Sequence, residues 1–142
     1  QFPYPPANID GDIYVEGCLG PTGDLPYNQP LPECNRKLLV VLTRPRDYVK
    51  GPMPASVGAL LRTAYRQFPS VFEGVARRPD RYNAGRRLLF ELEERGQAYV
   101  FAPDNLWINN TESRRERLEA TYRAGLVQAV REMPAIKTFL GM

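Results

Sequence analysis

Two periods of hydrophobic positions divide the chain. Lys37-Leu38-Leu39-Val40-Val41-Leu42-Thr43 is a continuous apolar run between Asn35-Arg36 and Arg44-Pro45, which predicts a strand buried on both faces of a parallel sheet. Ala98-Tyr99-Val100-Phe101-Ala102, set between Gly96 and Pro103, predicts a second strand. Between them the period becomes helical. Val57, Leu60, Leu61, Tyr65 and Phe68 recur at helical spacing, with Pro69 as the stop. A short helix over Val71 to Val75 is stopped by Pro79, and Asp80 then caps a helix that carries Tyr82, Leu89 and Leu92 and ends at Gly96. Strand, helices and strand make a crossover, so the two strands are expected as parallel neighbours with a right-handed connection.

A final helix opens at the capping box Ser113-Arg114-Arg115-Glu116. Its stripe of Leu118, Tyr122, Leu126, Ala129 and Val130 is expected to be core, and Pro134 to break it. The start of the chain has another character, because ten of the fourteen prolines fall within the first 54 residues. Residues 1–36 read as a proline- and glycine-rich arm, extended at Phe2 to Pro6 and turning over Asn8 to Gly11. Within the arm, Asp12-Ile13-Tyr14-Val15 after Asp10-Gly11 is a short strand. The fold class is therefore α/β: one domain, with the arm over 1–36 and a partial parallel sheet with crossover helices over 37–142. So few strands leave apolar sheet edges, which predicts further sheet from missing sequence or from a second copy.

Composition narrows the chemistry. The 142 residues include no histidine, so neither a Ser-His-Asp triad nor a Cys-His pair can form within the chain. With only Cys18 and Cys34, an all-thiolate zinc site is excluded as well. Two widely spaced cysteines without CxxC geometry suit reduced thiols in the cytoplasm. No metal or cofactor is expected. Nineteen basic against sixteen acidic residues leave a net charge of +3, too mild an excess to argue for nucleic acid. Arg77, Arg78, Arg81, Arg86, Arg87, Arg114, Arg115 and Arg117 cluster on helices near Tyr82 and Tyr122. They read as a solvated face balanced by Glu91, Glu93, Glu94, Glu112, Glu116 and Glu119, with a phosphate-binding face as the alternative. The first residue is Gln1 rather than Met, and the start reads as processed or excised.

Candidate chemistry centres on Glu16-Gly17-Cys18-Leu19-Gly20-Pro21-Thr22-Gly23-Asp24. A carboxylate directly after a strand and before glycine is held on a rigid edge that a ligand can approach closely. Together with Leu39-Val40-Val41-Leu42-Thr43-Arg44-Pro45-Arg46, Tyr82-Asn83, Tyr99-Val100-Phe101-Ala102-Pro103 and Tyr122-Arg123-Ala124-Gly125, this stretch resembles the C-terminal portion of bacterial patatin-like phospholipases. The resemblance runs from about Ile9 onward. It implies a lipid acyl hydrolase with a Ser-Asp dyad, whose acidic motif falls on Glu16-Gly17-Cys18. Glu16 then stands at the dyad aspartate, Asp24 is a substitute carboxylate, and Gly17, Cys18, Gly20 and Gly23 form the loop around them. Ser56, Ser70 and Ser113 are the serines, and none lies in a G-x-S-x-G elbow. The nucleophile and oxyanion donors would therefore come from a patatin core outside this chain, which alone is expected to be inert. The implied partners are that core or a second copy, in a homodimer through the proline-rich arm or a sheet edge. A lipid or ester is the implied substrate, which admits peripheral membrane contact. The alternative is a non-catalytic scaffold domain derived from the same family.

Overall fold

The computed structural model describes residues 7–14, 25, 37–109 and 111–142. Those residues are mixed α/β, with four helices and two two-stranded sheets. In chain order they are β1 (Ala7–Ile9), β2 (Asp12–Tyr14), β3 (Leu38–Val41), α1 (Ala55–Ala64), α2 (Pro69–Ala76), α3 (Arg78–Glu94), β4 (Ala98–Phe101) and α4 (Arg115–Leu140). The chain divides into two compact units, Gln1–Pro30 with Val49–Leu88, and Leu31–Tyr48 with Leu89–Met142.

In the first unit β1 and β2 form an antiparallel hairpin in the register Asn8↔Ile13. Asp10 at φ 54° and Gly11 at φ 91° make the turn. Two adjacent positive-φ residues are what a two-residue hairpin of right-handed twist requires. The Gly11 N–H also donates to Asn8 Oδ1 at 3.2 Å. Asn8 and Ile9, expected within a turn, therefore belong to a strand.

The prolines act differently from expectation. Pro69 does not stop α1, which ends at Ala64; it occupies the start of α2. Pro79 likewise sits second in α3, and Asp80 lies in the first turn rather than at the cap. A proline in a helix's first turn forgoes only an N–H that has no partner there, and its fixed φ already suits the helix.

The second unit holds the parallel pair expected from sequence, β3 beside β4 in the register Leu38↔Ala98 to Val41↔Phe101. Leu38 N–H donates to Gln97 at 2.9 Å and Leu42 N–H to Phe101 at 2.8 Å, extending the ladder at both ends. Burial is one-sided rather than two-sided. Ala98, Val100, Ala102 and Leu42 are core, with Val100 and Leu89 each 1% exposed, whereas Val41 is 65% exposed. The apolar run of β3 overstates its cover, because α4 lies over only part of the Leu39–Tyr99 face. There the Tyr99 and Phe139 rings meet at 5.9 Å, and Lys37 Nζ donates to the Phe139 carbonyl.

Helix α4 runs 26 residues and passes through Pro134 instead of breaking there. An interior proline costs a helix about 3 kcal/mol, but the turns beyond it are anchored by buried Ile136 and by Phe139. Gly141 at φ 79° closes the helix, with Met142 N–H on the Lys137 carbonyl at 2.9 Å. The expected capping box does not form, since Arg114 is the N-cap and no side chain caps it. Glu112 takes that role from outside, accepting the Arg114 N–H at 3.0 Å and both arms of its guanidinium at 2.9 Å.

Candidate functional site: a polar clasp on the edge of β4

Ladder parity decides what the outer edge of β4 offers. Gln97 and Phe101 face β3, so Val100 and Ala102 turn their backbone groups the other way. A bare edge would present those groups for pairing. Here side chains occupy them.

Arg46, in the turn after β3, lays its guanidinium on Glu93 with Nη1 to Oε2 at 2.7 Å and Nη2 to Oε1 at 2.8 Å. The same Nη2 donates to the Val100 carbonyl at 2.8 Å, and the Val100 N–H donates to Glu93 Oε1 at 2.8 Å. The Phe90 ring lies under the guanidinium, its centroid 5.3 Å away. One ion pair thus satisfies both backbone groups of a buried strand residue. Its effect on titration follows. Hydrogen bonds from Arg46 hold the Glu93 carboxyl below the ordinary value of 4.5, and Glu93 in turn raises Arg46.

Further along the same edge, Gln128 of α4 is only 6% exposed. Its Nε2 donates to the Ala102 carbonyl at 2.7 Å and to Glu132 Oε1 at 2.9 Å, while its Oε1 accepts the Asp104 N–H at 3.0 Å. Tyr99 O–H donates to Glu132 Oε2 at 3.1 Å, and desolvation, followed by that hydrogen bond, pushes its pKa up. Arg131 Nη2 bonds Asp104 Oδ2 at 2.8 Å. Beside these groups lies a cavity of about 330 Å³, walled by Pro45, Arg46, Val100, Pro103 and Glu132 among others. It opens at the C-terminal ends of two parallel strands, where α/β sheets commonly receive ligands.

The arrangement is better suited to holding structure than to reacting. A carboxylate with a lowered pKa is a weak base, and a phenol with a raised one is a weak nucleophile at neutral pH. No serine or cysteine stands among these groups. Across the described residues no group of three or more carboxylate, thiol or imidazole side chains is placed to hold a metal ion, and no helix is long and apolar enough to cross a membrane.

One family model matches residues 68–141, that of a domain of unknown function, DUF6363. The chain belongs to this family. No curated protein and no solved structure matches it. The DUF6363 match takes in α2, α3, β4 and α4 and leaves out β3 with Arg46, so the clasp joins a matched carboxylate to an unmatched guanidinium.

The sequence-predicted residues Glu16, Gly17, Cys18, Gly20, Gly23 and Asp24 lie outside the described residues, as does Cys34. The arginine cluster proves to be a mixture. Arg114 and Arg117 share Glu112, and Arg115 pairs with Glu119 at 2.7 Å, as a balanced face requires. Arg86 departs from that reading: it is 3% exposed and its guanidinium lies 5.8 Å from the Tyr82 ring centroid. Sequence reasoning missed Gln128 and Glu132 altogether. Periodicity hid them: it assigns the core of α4 to Leu118, Tyr122, Leu126, Ala129 and Val130, yet Ala129 is half-buried and the other four are exposed, whereas the buried positions are Gln128 and Ile136.

Proposed function

We propose that this DUF6363 chain is the C-terminal segment of a patatin-like serine acyl hydrolase, inactive alone and supplying the acidic half of a Ser-acid dyad. The order strand, acid, glycine carries the reading: β2 ends at Tyr14, two residues ahead of Glu16-Gly17. The tight Asp10-Gly11 turn sets the register of that strand against β1, so local backbone chemistry positions the strand that precedes the carboxylate. Glu16 would take the proton of a serine supplied by a patatin core, with Asp24 as the substitute base and Gly17, Cys18, Gly20 and Gly23 leaving room for the substrate. Attack of the deprotonated serine on a lipid or carboxylic ester would then release the alcohol and leave an acyl-enzyme for water to hydrolyse. This reading places the chain in the cytoplasm, at a lipid surface only peripherally.

A second reading, a non-catalytic scaffold of the same descent, is favoured by the clasp, where Glu93 and Glu132 are both committed to hydrogen bonds. Hydrolysis of a short-chain aryl ester separates the two. The isolated chain is expected to show none. In a polypeptide joining it to a G-x-S-x-G-bearing patatin core, Glu16→Gln should lower kcat by about 100-fold or more. Loss with Asp24→Asn instead would move the base to Asp24. Full activity in both variants would leave the scaffold reading standing.

A further inference from the structure

The β1–β2 hairpin and α1 share one property: neither holds a buried residue. A two-stranded hairpin alone in water is marginal and needs an apolar face packed on something else. Cross-strand partners share a face and successive residues alternate, so Asn8 and Ile13 point one way and Asp12 the other. Asn8 and Ile13 border a cavity of about 500 Å³, walled also by Ala64, Tyr65, Phe68 and Val71. All six belong to the first compact unit. Phe68 and Val71 also open the stretch that DUF6363 matches. Ile13 keeps 56% of its area exposed and Phe68 48%, because the cavity lies between them.

We infer that this cavity binds an unbranched alkyl chain. Its volume falls in the range of ligand pockets, about 300–1,000 Å³. Among the described residues no charged side chain lines it, so a charged ligand would lose its hydration there without compensation. A ring compound is normally oriented by a few placed polar groups. Of the lining side chains only Asn8 and Tyr65 carry polar atoms, and neither is free: Asn8 Oδ1 accepts the Gly11 N–H, and Tyr65 has a partner too. An alkyl chain asks only for apolar contact. Its burial would also cover Ile13 and Phe68, which supplies the hairpin with the packing it lacks.

On the hydrolase reading proposed above, and resting on it, the chain is the acyl part of the ester. Glu16 follows Ile13 by three residues, so their Cα atoms are at most about 11 Å apart. The proposed base is thereby kept close to the cavity wall.

Methyl-detected NMR titration of the 142-residue chain with 1-hexanol, 1-octanol and 1-decanol tests the site. Saturable shifts at the Ile13 and Val71 methyl groups are expected. Kd should fall about fifteenfold for each two added methylenes. Ala64→Trp, which puts an indole into the space, should weaken 1-decanol by about tenfold or more. Ile13→Ala, a milder change at an exposed position, should weaken it by about threefold. No saturable shift at any chain length overturns the inference, and so does a Kd indifferent to chain length and to both substitutions. Naphthalene binding with no gain along the alcohol series also overturns it, as does a response that grows with protein concentration, the mark of a second copy in the cavity. The hydrolase reading is separated by Glu16→Gln in the polypeptide joined to a patatin core. Lower hydrolysis there, with no alcohol binding, upholds the dyad and overturns the cavity. Alcohol binding with hydrolysis unchanged upholds the cavity and overturns only the acyl assignment.

Discussion

The hairpin β1–β2 and the parallel pair β3–β4 each have two strands, yet different forces hold them. The hairpin closes through a two-residue turn, and all six of its strand residues are exposed. Its register is set by local backbone chemistry. The parallel pair closes across the whole stretch from Val41 to Ala98, so an entropy of closure must be offset by contacts remote in sequence. Those are the burial of Ala98 and Val100 and the clasp of Arg46 and Glu93 on the far edge. Local chemistry can place a strand; only tertiary packing can make it stable.

The largest effect should come from the buried side of that contrast. Leu89→Ala removes a side chain that is 1% exposed and should cost about 3–4 kcal/mol, read as a lower urea midpoint at unchanged slope. Ile13→Ala, on the hairpin, should cost less than about 0.5 kcal/mol, because Ile13 is mostly in water already. Equal costs would erase the distinction between the two sheets.

The same distinction explains what could be read from the sequence. The parallel neighbours β3 and β4, the helical spans, and the strand after Asp10-Gly11 all followed from period and turn chemistry. Proline was misread at Pro69 and Pro79 because a helix stop and a helix start use the same residue, and only its neighbours in space decide. Pro134 was misread for a related reason: anchors at Ile136 and Phe139 hold the helix past it. The clasp was illegible. Arg46 and Glu93 are 47 residues apart, and nothing local marks a charge pair as the partner of a strand's backbone.

Next in size is the clasp. Glu93→Ala strips the Val100 N–H of its acceptor and should cost about 2 kcal/mol, since a buried donor is left unpaired. Arg46→Lys, which keeps the charge and loses the two-pronged geometry, should cost less, about 1 kcal/mol. The pH dependence has a definite sign. Glu93 is lowered from 4.5 in the folded chain, so its contribution is complete above that value and is lost as pH falls through the folded one. Urea midpoints measured downward from about pH 6 should therefore drop less in Glu93→Gln than in the unaltered chain. Parallel curves would mean that the pair does not stabilise the fold.

A smaller effect is expected at the start of α4. The Arg114 side chain, then the Arg114 N–H, hold Glu112 down to about 2. The support it gives the first turn is therefore present above 4.5 and disappears as pH falls toward about 2. Carboxyl chemical shifts should place its midpoint near 2, with amide exchange at Arg117 and Leu118 quickening over the same range. A midpoint at the ordinary glutamate value would mean that the pairs to Arg114 and Arg117 do not persist in solution.

The smallest change tests the local side of the contrast. Gly11 sits at φ 91° with open space where a Cβ would go, so Gly11→Ala meets no clash and its cost is purely conformational. That cost is about 1 kcal/mol, because an L side chain resists positive φ. Against a hairpin with no buried residue, it is enough to shift the local equilibrium toward opening. The Asn8–Ile13 cross-strand contacts should weaken in nuclear Overhauser spectra while the unfolding free energy from urea titration stays within about 0.3 kcal/mol of the original. The turn would then be closing the hairpin on its own account. If that free energy falls by the full cost of the substitution, the hairpin unfolds with the rest, and the two sheets belong to one cooperative structure despite their different origins.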